Sequence, residues 1–381
     1  MSRVIPTLPV RMAVVFLLGM TLGGLLVNEL RGPEPPATWH DEQSLFGPRT
    51  YAQAVALANG EVLLVGGMDR DNPQITSVHA EILDPRSGTL RLDPSVRIGR
   101  LWQSVTTLPN DLVLIVDGTE RPLDDSGWHA MAFAETYDPW SGKWQSVRAP
   151  GIARSDHAAT LLRDGRVLVT GGNDGPKWVL QSEIYDPRTD TWSLAAPLPT
   201  GRTRFTAATL PDGRVLVAGG LEPPGLATDA TLLYDPATDS WSEGPRMSAK
   251  RAIYSTVALP DGDILFIGGQ NDGSNTAERY SVKGQRFEFA GTLFSPRMFG
   301  QAALADDGTV VYAGGIVVPE RGFLPVVDVE RWDPRTNLWT EGPPLRTGRA
   351  GGAMVAASGG IWLLGGAIAE DHAIASVELL R

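Results

Sequence analysis

Cysteine is missing from all 381 residues. Disulfides, zinc–thiolate centres and cysteine nucleophiles are thereby excluded. A chain without cysteine is compatible with an oxidising compartment. Positive charge is in deficit, with 33 Lys and Arg against 44 Asp and Glu and a net charge of −11. That balance argues against nucleic acid or an anionic membrane surface as the main partner. Histidine is scarce, with only five: His40, His79, His129, His157 and His372. Glycine (43) and proline (29) are plentiful, which suits many short strands joined by turns.

Long apolar runs are nearly absent as well. The exception is residues 12–27, uncharged and preceded by Arg3 and Arg11. As a helix this stretch reaches roughly 24 Å, a little less than a ~30 Å hydrocarbon core, and the residues up to 30 extend it. No small-x-small cleavage site lies between Leu25 and Pro33, so residues 1–30 are expected to form an uncleaved signal anchor. Cleavage would instead give a secreted protein. Basic residues on the amino side place the bulk of the chain outside the cytoplasm, periplasmic or extracellular. Residues 31–37 read as a Pro-rich spacer, and residues 38–381 as the folded body.

Within that body one register repeats. A large apolar residue is followed ten positions later by arginine: Trp39/Arg49, Leu90/Arg100, Trp144/Arg154, Trp192/Arg202, Trp241/Arg251, Phe287/Arg297 and Trp339/Arg349. After each arginine comes an alternating run, then in most units an Asn-Gly or Asp-Gly turn such as Asn59-Gly60 or Asp212-Gly213. These are hairpin signals. A second apolar run ends in Gly-Gly at 66–67, 171–172, 219–220, 268–269, 314–315 and 365–366, with Asp117-Gly118 in the second unit. A variable loop follows, then a strand ending in an aromatic residue or Leu, commonly before Asp-Pro, as at Tyr185 and Tyr234. Each unit therefore holds four short strands in about 50 residues, a period that signals a propeller.

The doublet, the Tyr and the Trp at these offsets resemble the kelch repeat family over residues 39–381. The resemblance implies an all-β propeller with four-stranded blades; the seven repeat units give seven blades, and a monomeric seven-bladed β-propeller preceded by one N-terminal apolar helix is expected. The last unit ends after its third strand, and Thr38-Trp39 stands where the missing fourth belongs. The N-terminal strand is expected to close the final blade and leave no free sheet edge.

Strand parity places the function. The seven arginines open the first strands, the variable loops leave the second strands, and both lie on one face. Arg49, Arg100, Arg154, Arg202, Arg251, Arg297 and Arg349 are expected to ring the channel mouth as ligand contacts. Tyr51, Trp102, Arg204, Phe205, Tyr254 and Phe299 follow them by two or three positions, while Gly351-Gly352 leaves the seventh sector open. Guanidinium forks match carboxylates and phosphates, and neighbouring rings stack on a sugar or an apolar side chain. The competing reading is architectural. Glu81, Glu135, Glu183, Glu278, Glu330 and Glu378 recur two before the aromatic position, and only blade 4 departs, with Leu232. Six glutamates would neutralise most of the ring and leave Arg202 or Arg251 least compensated.

Kelch-like propellers include copper radical oxidases, which need a cysteine crosslinked to tyrosine, and this chain has none. Other relatives epimerise sialic acid, so an enzyme acting on an acidic sugar stands as the alternative function. Its acid/base candidates are His157, Asp156 and Asp117. His129 with Asp124 and Asp125 is too sparse for a metal site, and no metal or cofactor is expected. The expected partner is a protein or glycan carrying acidic groups, met by a membrane-tethered interaction module. Trp102, Trp128 and Trp178, and the loop residues Arg321 and Phe323, are further contacts on that face.

Overall fold

The computed structural model describes residues 37–68, 79–96, 99–120, 129–270, 275–317, 324–370 and 372–381. The expected helix over 1–30 and the spacer, apart from Ala37, lie outside these residues. Among the described residues no helix is long and apolar enough to cross a membrane.

Seven antiparallel sheets of four strands form the blades of a propeller. The second strands are its driest parts: Val62–Val65, Val113–Val116, Val167–Thr170, Val215–Ala218, Ile264–Ile267 and Val310–Ala313 are buried throughout. A strand covered on both faces reads as an unbroken apolar run, and here a neighbouring blade covers each face. The first strands are short and richer in small and polar residues, as in Gln53–Ala56, Ser104–Thr107 and Thr206–Thr209. They stand side by side around the centre, where a smaller circumference leaves less room.

The last blade is completed as expected. Trp39–Asp41 pairs antiparallel with Val377–Leu380, Trp39 opposite Leu380, and the Thr38 amide donates to the carbonyl of Arg381.

The blades are joined by two repeated devices. In the first, the recurring Trp packs on the Tyr of its own blade. Ring centroids lie 5.0 Å apart in Tyr137/Trp144, Tyr185/Trp192 and Tyr234/Trp241. The indole N–H then crosses the seam, from Trp192 to the Arg148 carbonyl at 2.6 Å and from Trp241 to that of Ala196 at 2.9 Å.

The second device uses the glycine doublet. The amide of its second residue donates to the carbonyl of the next blade's arginine: Gly67 to Arg100, Gly118 to Arg154, Gly172 to Arg202, Gly220 to Arg251, Gly269 to Arg297, Gly315 to Arg349 and Gly366 to Arg49. Backbones also approach closely within the blade, where a Cβ on Gly220 would sit 2.5 Å from the Thr203 carbonyl oxygen. Only glycine fits such a contact at φ +93°.

Candidate functional site: a left-handed collar above a buried arginine ring

The seven arginines stand four residues before the first strands, and their side chains turn into the blades. Each is at most 2% exposed. Arg49 pairs with Glu81 at 2.6 Å, Arg154 with Glu183 at 2.8 Å, Arg251 with Glu278 at 2.6 Å and Arg297 with Glu330 at 2.5 Å. Arg100 pairs with Glu135 and Arg349 with Glu378 in the same way. The guanidinium also donates to the carbonyl preceding the third strand, as Arg154 does to Gln181 at 2.8 Å and Arg297 to Asp328 at 2.7 Å. The second carboxylate oxygen accepts the loop amide three residues before the arginine, from Phe46, Gly151, Ser248, Phe294 and Arg346.

The arginine half of the expected site is corrected on these grounds. A buried guanidinium requires a counter-charge and hydrogen-bond acceptors, and these seven find theirs inside the blades and not in a ligand. Burial pulls the pKa of Arg49, Arg154 and Arg349 down, and their glutamates oppose it. Arg202 does not lie uncompensated opposite Leu232: Glu222, from the loop of blade 4, takes its Nη2.

Two positions after each arginine lies a feature that sequence reasoning missed. Tyr51 (φ 59°), Trp102 (54°), Asp156 (53°), Arg204 (53°), Ile253 (56°), Phe299 (57°) and Gly351 (62°) all adopt the left-handed region. For an L-residue this costs roughly 1–2 kcal/mol, and an isoleucine there is a genuine outlier. The preceding residue is pinned on every blade by an isolated bridge to the residue after the doublet, Thr50 to Met68 through Ala350 to Ala367. Blade-to-blade amides continue the ring, from Tyr51 to the Gly351 carbonyl at 2.7 Å, Asp156 to Trp102 at 3.2 Å, Arg204 to Asp156 at 3.2 Å and Gly351 to Phe299 at 3.1 Å. The result is a collar at the start of the first strands.

Its side chains form two groups. Asp156 Oδ1 lies 3.2 Å from Arg204 Nε, and the Arg204 guanidinium lies over the Trp102 ring at 5.7 Å. Burial raises the Asp156 carboxyl, and Arg204 opposes it. Tyr51 and Phe299 meet with centroids 5.6 Å apart. Gly351 and Gly352 are buried, so the sector expected to be open is spanned by the rings of the flanking blades. A cavity of about 180 Å³ lies here, lined by Tyr51, Trp102, Phe299, Gln301, Gly351 and Met354.

Residues three after the arginine belong elsewhere. The Tyr254 hydroxyl donates to the Ala218 carbonyl at 2.6 Å and accepts the Thr206 amide at 3.0 Å. Phe205 covers Gly171, whose Cβ would meet its ring at 2.6 Å. Both fill seams between blades. His157 is half-buried, its Nε2 2.8 Å from Ser104 Oγ and its Nδ1 enclosed without a hydrogen-bond partner. Burial first, then Arg154, pushes its pKa down to about 3, so the imidazole is neutral and weakly basic near neutral pH. Asp117 is wholly buried, its Oδ1 accepting the Phe133 amide at 3.2 Å and its Oδ2 3.9 Å from Arg154 Nε. Burial raises its pKa well above the ordinary carboxylate range. The three acid/base candidates do not converge on one reacting position: Asp156 faces the mouth, and the other two lie beside Arg154 in the seam between blades 2 and 3.

Short two-stranded ribbons surround the collar on the loops after the second strands. They include Thr119–Glu120 with His129–Ala130, Asn173–Asp174 with Lys177–Trp178, and Leu221–Glu222 with Leu226–Ala227. Trp178 packs over Gly201. Asp124, Asp125, Trp128, Arg321 and Phe323 lie outside the described residues.

A Kelch motif profile matches residues 154–199, and a second matches residues 202–248. The seven-bladed propeller thus carries kelch repeats at residues 154–199 and 202–248. Among curated proteins it is similar to alpha-scruin of Limulus polyphemus, 36% identical over 94 residues, 24% of this chain and 10% of that protein. The match thus spans about a tenth of the relative's length. Among solved structures it is similar to a fungal alcohol oxidase of the AA5 family in complex with copper. The TM-score is 0.73 at 17% identity, covering 91% of this chain and 76% of that one. That likeness shows the fold alone. The residues here do not fit a cysteine–tyrosine copper centre, because the chain has no cysteine. No cluster of three or more His, Asp or Glu suited to a metal ion occurs among the described residues.

Proposed function

We propose that this propeller is a protein-interaction module that docks its partner on the collar face and is held outside the cytoplasm by its N-terminal apolar segment. The observation that carries the reading is the collar itself. Six non-glycine residues are kept in a costly backbone conformation, and such strain concentrates at functional positions. It presents three aromatic rings around a shallow cavity, with a largely buried ion pair next to Trp102. A partner segment with an apolar side chain and an acidic group fits that chemistry. The apolar side chain enters between Tyr51, Phe299 and Trp102, and the carboxylate competes with Asp156 for Arg204. The tether rests on the uncharged run at 12–27 behind Arg3 and Arg11.

The alternative, an enzyme acting on an acidic sugar, draws less support. A base held near pKa 3 and an enclosed Asp117 are poorly suited to moving protons to and from a substrate at the mouth.

The test is affinity for an envelope partner identified by crosslinking, measured with collar and opposite-face variants. Trp102→Ala and Arg204→Glu are expected to weaken binding at least tenfold with melting unchanged. Asp212→Lys, in a turn on the other face, leaves it intact. Equal binding by all three sinks the docking face. Recovery of the full-length protein in the cytosol sinks the tether.

A further inference from the structure

Blade 4 departs from the arginine–glutamate lock twice. Leu232 replaces the strand glutamate, and Pro199 stands three residues before Arg202, where Phe46, Gly151, Ser248, Phe294 and Arg346 each donate an amide to that glutamate. Acceptor and donor are lost together. A cavity of about 340 Å³ occupies the place, lined among others by Thr200, Arg202, Glu222, Leu232, Trp241 and Arg246. The corresponding space in blade 6, about 300 Å³, is lined by Asp328, Glu330 and Glu341 without an arginine. There Glu330 already covers Arg297.

Glu222 substitutes for the missing partner, but on different terms. The six strand glutamates are 0–3% exposed, whereas Glu222 is 25% exposed. It sits on a two-residue strand of a loop ribbon rather than in a blade. Arg202 Nε is enclosed without a hydrogen-bond partner. The same is true of Arg49, Arg154 and Arg297, but here the arginine and its loop glutamate both line a cavity.

We propose that this cavity is a carboxylate-binding site in which Glu222 is an internal stand-in. An incoming carboxylate displaces Glu222 from Arg202, and the apolar body behind it lies against Leu232 and Trp241. Arg202 is already desolvated, so exchanging one carboxylate for another adds no new buried charge. A guanidinium fork offers two parallel donors to such a group. The ligand is a small carboxylic acid or the C-terminal carboxylate of a peptide, and the two share this chemistry. The site is separate from the collar and stands or falls independently of it.

The experiment uses the full-length chain in detergent, with calorimetric titration and melting curves. The probes are benzoate, benzyl alcohol, and a short peptide ending in Phe with a free or an amidated C-terminus. In Glu222→Gln the melting temperature is expected to drop and benzoate to restore it, with affinity at least tenfold above wild type. Benzyl alcohol and the amidated peptide do nothing. Leu232→Glu, which rebuilds the strand glutamate, is expected to abolish binding, and Leu232→Glu/Glu222→Gln to melt like wild type. A response to benzoate alone, or to the free peptide alone, names the source of the carboxylate. Should Glu222→Gln fail to fold, titration of wild type against Leu232→Glu decides. Equal responses in wild type and Leu232→Glu, or no response to either carboxylate in any folded variant, overturn the proposal.

Discussion

The indole N–H of Trp39 donates to the carbonyl of Pro343 at 3.0 Å, although 304 positions separate them in sequence. Trp192 and Trp241 make the same contact with the blade before their own, 44 and 45 positions away. Seen from blade 6, the N-terminal strand is thus an ordinary fourth strand, and the seam that closes the ring is chemically the same as those within the continuous chain.

Trp39 is 4% exposed. Its replacement by alanine removes both a large buried side chain and the bond across the closing seam. Trp39→Ala is expected to destabilise the propeller by about 3–5 kcal/mol, and Trp39→Phe by less. Chemical denaturation measures both. An unchanged midpoint would show that the ring is held closed without this strand.

The arginine ring should behave as structure. Arg297→Ala and Glu330→Ala each leave a buried charge without its partner, at a cost of about 3–5 kcal/mol. Because the two residues touch, the double variant should lose less than the sum, with a coupling of about 1–3 kcal/mol. A double-mutant cycle of unfolding free energies checks this. Additive losses would mean that Arg297 is held by its carbonyl contacts alone.

His157 sets an acid limit. Its folded pKa of about 3 lies below the ordinary 6.5. The unfolded chain therefore binds a proton more readily, and stability falls as pH drops from about 6.5 toward 3. Gln103 holds the equivalent place in blade 2 and donates to the Val65 carbonyl at 3.1 Å. His157→Gln is expected to fold and to flatten that part of the profile, read as urea midpoints against pH. Asp117 acts in the opposite sense. Its raised pKa contributes stability in acid that is lost as pH rises through the folded value, so Asp117→Asn should remove that loss.

Gly351 supports the aromatic pair of the collar. At φ 62°, a Cβ there would lie 2.8 Å from Tyr51 Cε1 and 2.8 Å from Thr50 Oγ1. Gly351→Ala is expected to cost about 1–2 kcal/mol in backbone strain and to push Tyr51 off Phe299, weakening partner binding. Gly142→Ala is the control, with a similar φ of 66° and nothing near its Cβ. It should carry the backbone cost and leave binding untouched. Equal binding by both variants would remove the ring pair from the docking surface.

Much of this was legible without coordinates. The ten-residue interval, the doublets and the truncated last unit give seven blades and their closure, because an unvarying interval preserves strand identity from blade to blade. Tyr51, Trp102, Asp156, Arg204 and Phe299 were legible as one repeated position, two after the arginine, for the same reason. Ile253 was not, since no residue type marks a left-handed position unless it is glycine or asparagine, and this one is held between the bridge at Ala252 and the strand that begins at Ser255. Phe205 and Tyr254 were read into the same set because one step along an extended chain reverses a side chain's direction, and the left-handed residue shifts where that reversal falls.

Sequence alone determined the repeat, the strand count and the charges available, all of which depend on local spacing. Tertiary structure decided where those charges go. Whether an arginine faces water or a carboxylate depends on the loop folded over it and the blade packed beside it. Only there do Glu330 and Glu222 become equivalents, one from a strand and one from a loop, each answering a guanidinium that burial would not otherwise permit.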